Sequence, residues 1–164
     1  MPKLSTLYLR FTPYAAQLAR FSGDATLATL DEPITVNSVG ATVTWRFAPK
    51  TSLSLSGALL FANLLNVDAS TTFSSWSAGL HFRDIFHEGN TAAIIFGQPL
   101  YRESVAGTAS RPEDATPYHL ETFYNYRVND NISITPGVYF IFSPEGFSAN
   151  DTAIVGALRT TFTF

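Results

Sequence analysis

The chain contains 164 residues, of which 14% are charged and 14% aromatic, and its formal net charge is −3. About 25% of the residues of a typical soluble domain are charged, so this composition does not favour such a domain. The absence of cysteine excludes disulfides, thiolate zinc sites and a cysteine nucleophile. The negative net charge does not indicate a basic surface that would bind nucleic acid. No apolar run reaches the about 18 residues of a membrane-spanning helix, and the first residues do not predict a signal peptide.

Apolar and polar residues alternate along most of the chain, which predicts strands with two different faces. One strand is predicted near the start and seven follow from Val39 onward. The predicted strands are, in chain order, 7–11, 41–47, 51–62, 73–83, 92–101, 118–128, 132–142 and 152–164. The segment 14–21 is predicted to form either a helical turn or more strand.

The breaks between predicted strands alternate in length. Short and long breaks on opposite sides of a sheet are typical of outer-membrane barrels. In this interpretation Phe164 lies on the side of the short turns. The short breaks are near Ala48, Asp84 and Asn129, and the longer ones begin near Asn63, Arg102 and Ser143.

The two faces of the predicted strands favour a membrane barrel over a soluble β-sandwich. The outward face of a sandwich would carry Lys, Glu and Arg, whereas the polar face here is mostly Ser, Thr, Asn and Gly. Large aromatic residues end the apolar rows, as in the girdles of membrane barrels. We therefore predict an all-β fold, an antiparallel transmembrane β-barrel of about 8 strands. Because backbone groups in hydrocarbon must be paired, the last strand is predicted to close the sheet. The aromatic residues that support this interpretation are Trp45, Phe47, Tyr126 and Phe142.

Two stretches of the chain resemble a known family. They are EGNTAAIIFGQPL at 88–100 and the segment 117–164, which contains YHLETFYNYRVNDNISITPG and ends with RTTFTF. Both are similar to the C-terminal part of cyanobacterial outer-membrane porins of the carbohydrate-selective porin family, often called iron-uptake porins. The resemblance is strong over residues 76–164 and weaker over residues 38–75.

The resemblance implies that residues 1–164 form a single porin domain or a segment of one. Family members have a signal peptide, a surface-layer-homology segment, a coiled coil and a barrel of roughly 16 strands, whose C-terminal half this chain would match. The implied protein is integral to the outer membrane and lets small hydrophilic solutes diffuse passively, either carbohydrates or inorganic ions including iron. Its partners would be the lipid bilayer and the outer-membrane assembly machinery, which reads terminal aromatics such as Phe162 and Phe164.

Charged and polar residues of the polar face are candidates for the pore lining. A charge at the lipid-facing midplane costs about 2–4 kcal/mol, which favours an inward position, and charges in the lumen set ion selectivity. The alternative is that Glu121, Arg127 and Arg159 only pair with one another. The lumen-facing candidates are Arg46, His81, His119, Glu121, Asn125, Arg127 and Arg159.

No metal, cofactor or catalytic centre is predicted. The three histidines lack the spacing of metal ligands, and neither a nucleophile motif nor a phosphate-binding glycine loop is present. The acids of the 102–115 loop, Glu103, Glu113 and Asp114, are expected to be solvated, with Arg102 and Arg111 as nearby partners.

The sequence therefore predicts a porin segment rather than an enzyme. A pore would need either the missing half of the barrel or a homo-oligomer, because a barrel of about eight strands is filled by its own side chains. One alternative is a non-conducting membrane barrel that serves as an anchor or assembly subunit, and another is a soluble β-sandwich that binds a ligand.

Overall fold

The computed structural model describes residues 3–11, 34–64, 68–107 and 112–163. Within these ranges the chain forms eight strands and one short 3₁₀ helix, which confirms the all-β prediction. The segment 14–21, Arg111 and Phe164 lie outside the described residues. The strands are β1 (Lys3–Phe11), β2 (Ile34–Ala48), β3 (Thr51–Leu64), β4 (Ala69–Arg83), β5 (Thr91–Gly107), β6 (Tyr118–Arg127), β7 (Ile132–Phe142) and β8 (Ala153–Phe162), and the 3₁₀ helix is Pro144–Gly146.

The eight strands form one antiparallel sheet in which each strand pairs with the next along the chain. The sheet is open across the described residues, because β8 pairs with β7 and β1 pairs with β2. The prediction that the last strand closes the sheet is therefore wrong for this structure. In hydrocarbon the outer backbone groups of β8 would need a further strand as partner, since no water is present to satisfy them.

Several strands are longer than the sequence pattern predicted. β3 and β4 leave only residues 65–68 between them, so the predicted long polar loop from Asn63 to Thr71 is wrong. Asn63 pairs with Ser70 and Ala62 pairs with Thr71 in the ladder. β5 also continues through Arg102, which the sequence pattern placed in a loop. In β4 the polar residues Thr71 and Thr72 did not end the strand, because threonine fits a pleated sheet well.

The two ends of the sheet differ in their connections. The short-turn end carries the connections 49–50, 84–90 and 128–131, and the long-loop end carries 65–68, 108–117 and 143–152. The predicted alternation of short and long connections thus holds for two of the three long loops. β2, β4, β6 and β8 all run toward the short-turn end.

One side of the sheet, here called the apolar face, exposes large apolar side chains. Leu158 is 74% exposed and Trp45 44% exposed. A soluble sheet would cover such a surface, whereas hydrocarbon suits it. Its middle row crosses the sheet through register partners: Val43, Leu55, Ala78, Phe96, Leu120, Phe140 and Ile154.

Aromatic residues lie toward both ends of the apolar face. Near the short-turn end the rings of Trp45 and Phe47 are 5.5 Å apart between centroids. Nearer the long-loop end the rings of Trp76 and Tyr118 are 6.4 Å apart between centroids. Two aromatic bands that flank an apolar zone are the girdles of a membrane barrel.

A buried asparagine holds the turn between β4 and β5 against β6. Asn90 is 1% exposed. Its Nδ2 donates to the Tyr124 hydroxyl at 2.6 Å, and its Oδ1 accepts the backbone N–H of Arg127 at 2.9 Å. The Tyr124 hydroxyl donates in turn to the carbonyl of Ile85 at 3.4 Å. The Asn90 side chain therefore joins the 84–90 turn, which follows β4, to the end of β6, a strand that does not pair with β4.

Replacing this asparagine should destabilise the sheet. We expect Asn90→Ala to lower the free energy of unfolding by about 1–3 kcal/mol, because it removes the hydrogen bonds of a buried side chain and leaves the part-buried N–H of Arg127 without an acceptor. Urea unfolding in detergent micelles, followed by tryptophan fluorescence, measures the change. The control is Asn63→Ala, which removes an exposed asparagine. Equal stability of the two variants would contradict the role assigned to Asn90.

Candidate solute-facing surface

The side of the sheet opposite the apolar face, here called the polar face, carries all seven residues proposed from the sequence as lumen-facing. Register partners show this directly: Arg46 pairs with Ser52, which pairs with His81. That the polar face lines a water-filled lumen stays a prediction. The residues that share this face are Arg46, His81, His119, Glu121, Asn125, Arg127 and Arg159.

Small hydroxyl-bearing side chains cover the middle of the polar face. Ser56 and Ser77 share a hydrogen bond of 2.6 Å between their hydroxyls. Ser54 Oγ lies 2.8 Å from His81 Nε2, which gives this histidine a protein partner. Short side chains leave room on this face, and their hydroxyls can exchange hydrogen bonds with water or with a polar solute.

A groove of about 570 Å³ follows this zone of small residues. β4 and β5 lie so close together beside it that a Cβ on Gly97 would be 2.3 Å from the carbonyl oxygen of Trp76. Glycine is therefore required at position 97. The groove is lined on the polar face by Gly40, Thr42, Ser56, Ala58, Ser75, Ser77 and His119.

The charged residues of the polar face do not pair with one another as the sequence alternative proposed. Arg127 pairs instead with Asp130 of the adjacent turn, with 2.6 Å between Nη2 and Oδ1. Glu121 accepts a hydrogen bond from the hydroxyl of its register partner Tyr139. Arg46 and Arg159 make no ion pair with any residue in the described ranges. The polar face thus has arginines that remain available to water or solute.

A buried ion pair lies at the long-loop end of the polar face. Arg102 Nε lies 3.4 Å from Glu113 Oε1, and both side chains are buried. The Arg102 guanidinium also lies over the ring of Phe73, 5.8 Å from its centroid. Phe73 packs in a small apolar cluster with Val36 and Ala62.

The sequence predicted the surroundings of Arg102 and Glu113 only in part. It predicted Arg102 as a partner for the nearby acids, which the structure confirms for Glu113. It was wrong to expect Glu113 to be solvated. Strand β5 extends through Arg102, whose side chain meets Glu113 of the segment 112–117. No local signal predicted this, because the alternating pattern is interrupted by register shifts opposite Thr72–Trp76.

The connections 108–117 and 143–152 are joined by hydrogen bonds. Asp114 accepts the backbone N–H and the hydroxyl of Ser148, at 2.8 Å and 2.6 Å. The backbone N–H groups of Asp114 and Ala115 donate to the carbonyl of Gly146 at 3.1 Å and 2.9 Å. The Ser148 hydroxyl and then its backbone N–H lower the pKa of Asp114 below its ordinary value of 3.8, since both stabilise the carboxylate.

Across 3–11, 34–64, 68–107 and 112–163, no group of three or more histidine, aspartate or glutamate side chains is arranged to hold a metal ion. Over the same part of the chain, no helix is long and apolar enough to cross a membrane.

An antiparallel sheet with an exposed apolar face, aromatic residues at both ends of that face and a polar opposite face is the wall of a transmembrane β-barrel. The family comparison agrees. The carbohydrate-selective porin family (OprB family) matches residues 6–164, and the chain belongs to this family. The predicted resemblance to this family is therefore confirmed. The family is one of outer-membrane channels rather than enzymes.

Relatives of the chain occur in cyanobacteria. It is 39% identical over 130 residues to the uncharacterized protein alr4550 of Nostoc sp., a match that covers 78% of this chain and 22% of that protein. It is 43% identical over 88 residues to the uncharacterized protein sll0772 of Synechocystis sp., covering 52% of this chain and 16% of that protein. The matches therefore span less than a quarter of these relatives. No solved structure matches the chain.

The contact between Asp114 and Ser148 should depend on pH. Because the pKa of Asp114 is lowered in the folded protein, the contact stabilises the two joined loops above about pH 3.8 and loses this effect as the pH falls through the lowered pKa. Carboxyl-carbon NMR titration measures the pKa directly. Ser148→Ala should raise it toward the ordinary value, whereas Asn150→Ala, in the same connection, should not. An identical Asp114 titration in the wild type and Ser148→Ala would contradict the assignment.

Proposed function

We propose that the chain is a wall segment of an outer-membrane porin through which small hydrophilic solutes diffuse passively. The observation that carries this proposal is the division of the sheet into an apolar face and a polar face along strands β2 to β8. The apolar face suits the hydrocarbon of the bilayer, and the polar face suits water. No catalytic step is involved, and selectivity would come from pore width and lining charge.

The solutes we propose are carbohydrates and inorganic ions. The carbohydrate-selective family supports the first, and the serine and threonine hydroxyls of the polar face offer matching hydrogen-bond partners. Hydrated inorganic iron would pass by the same route, as a diffusing ion that needs no coordination site.

The remaining wall of the pore would come from further strands of a longer chain or from other copies of this one. A barrel of about eight strands is filled by its own side chains, so the polar face described here needs more strands to enclose water. We further propose that residues 1–164 act as one structural unit, inserted into the outer membrane by the assembly machinery.

A non-conducting barrel that serves as an anchor or assembly subunit is the second candidate. The observation that favours it is the filled long-loop end of the polar face. There the Arg102–Glu113 pair lies beside the apolar cluster of Val36, Ala62 and Phe73. If these groups extended across the whole lumen, solutes could not pass.

Conductance separates the two candidates. For a porin segment we expect discrete conductance steps when the refolded 164-residue chain is added to a planar bilayer. The control is Ile154→Arg, which puts a charge in the middle row of the apolar face at a cost of about 2–4 kcal/mol near the midplane and should prevent insertion. A folded, membrane-inserted chain that never conducts would refute a pore built from copies of this chain alone and favour the anchor.

The terminal aromatics Phe162 and Phe164 are proposed to be the assembly signal. Replacing both by alanine should strongly reduce insertion into the outer membrane in cells, because the assembly machinery would no longer recognise the last strand. The matched control is Phe86→Ala, since Phe86 is also aromatic, lies at the short-turn end and is 84% exposed. Membrane fractionation measures insertion. Equal insertion of the terminal variant and the control would contradict the proposal.

A further inference from the structure

Strands β2, β4, β6 and β8 run toward the short-turn end, and each carries an arginine within its last four residues. Arg83 and Arg127 are the last residues of β4 and β6, Arg46 is the third from last of β2, and Arg159 is the fourth from last of β8. The register places all four on the polar face. We call these four residues the arginine band.

The arginine band lies close to one rim of the sheet. Strands rise about 3.3 Å per residue, so all four arginines start within roughly 10 Å of the short-turn end of their strands. Neighbouring members are two strands apart, or roughly 10 Å at the usual strand spacing. The band therefore follows the rim as a row of charges and does not form a single cluster.

Acidic residues only partly neutralise this row. Asp130 pairs with Arg127. Asp84 accepts the backbone N–H of Gly89 at 2.9 Å, lies 3.8 Å from Lys50 and also attracts Arg83. The side chains of Arg46 and Arg159 have neither an ion pair nor a hydrogen bond in the described part of the chain. The rim keeps a net positive charge, because five basic side chains face three acidic ones: Arg46, Lys50, Arg83, Arg127 and Arg159 against Asp84, Glu88 and Asp130.

The acids elsewhere on the polar face do not offset this potential at the rim. Glu121 is bound to Tyr139 near mid-strand, and Glu113 is paired with Arg102 at the opposite end. An arginine on the wall of a membrane protein must be hydrated or paired, because burying it alone is costly. Guanidinium groups bind oxyanions through two parallel hydrogen bonds, and rings of arginine make pores selective for anions.

We propose that the arginine band is an anion-selecting site that draws small oxyanions into the short-turn mouth of the pore. This inference rests on the proposed porin function for its effect on transport, although anion binding itself requires only the folded sheet. Solutes of the size and charge of inorganic phosphate match the guanidinium chemistry. A neutral sugar would gain nothing from the positive potential.

Reversal potential across a bilayer with a potassium chloride gradient tests the effect on transport. We expect the wild-type chain to prefer chloride over potassium. Arg46→Gln and Arg159→Gln should each lower the chloride-to-potassium permeability ratio by about two-fold, the effect of one unit charge roughly 10 Å from the ion path in water once salt screening is included. The control is Ala149→Asp, which changes the net charge equally but lies in the connection 143–152 at the long-loop end. Equal ratios in the wild type and both arginine variants would overturn the proposal.

Phosphate binding distinguishes a failure of the band from a failure of the porin function. The line width of inorganic phosphate in ³¹P NMR, measured with the folded chain in detergent micelles, needs no conductance. We expect broadening with the wild type and with Ala149→Asp, and its loss in the Arg46→Gln/Arg159→Gln double variant with an unchanged circular dichroism spectrum. Broadening without conductance would support the band while refuting a pore built from copies of this chain alone. Conductance without broadening or anion preference would refute the band alone.

Discussion

The backbone hydrogen-bond ladder between adjacent strands is the constraint on which the rest of this structure depends. In hydrocarbon an unpaired N–H or C=O group has no water to bond, so each strand requires a neighbour along its whole length. The sequential pairing of β1 to β8 meets this requirement over most of the described sheet, but residues 98–107 of β5 have no partner in β6, and the outer edges of β1 and β8 have no neighbouring strand. Both the apolar surface and the arginine band follow from it, because pairing fixes which side chains share a face.

The ladder also explains why charge is so unevenly distributed. In each strand of an antiparallel sheet, successive side chains point to opposite faces, and in a membrane one face meets hydrocarbon and the other meets water. Large apolar residues such as Leu158 remain exposed on one face, while Arg159, its neighbour in the chain, lies on the other. A one-residue slip in register would exchange the two environments and move the arginine into lipid.

The two ends of the polar face have different chemistry. At the long-loop end a charged pair is buried against Phe73, and the two loops are tied together through Asp114 and Ser148. At the short-turn end positive side chains face outward from the sheet with few acidic partners. A solute that moved along this face would pass from a covered, internally neutralised end to an open, positive one, so the two ends would contribute differently to selectivity.

The sequence by itself determined the strands, their two faces and the common face of the seven polar-face candidates, because a period of two is a local property that each strand carries within itself. The tertiary structure alone decided where strands end, which edges stay open and which charges meet. Arg102 shows the difference. Its surroundings in the chain are those of a polar loop, yet β5 extends past it and a loop eleven residues further on brings Glu113 to it. Such contacts depend on register shifts and on the return of distant segments, neither of which alternation encodes.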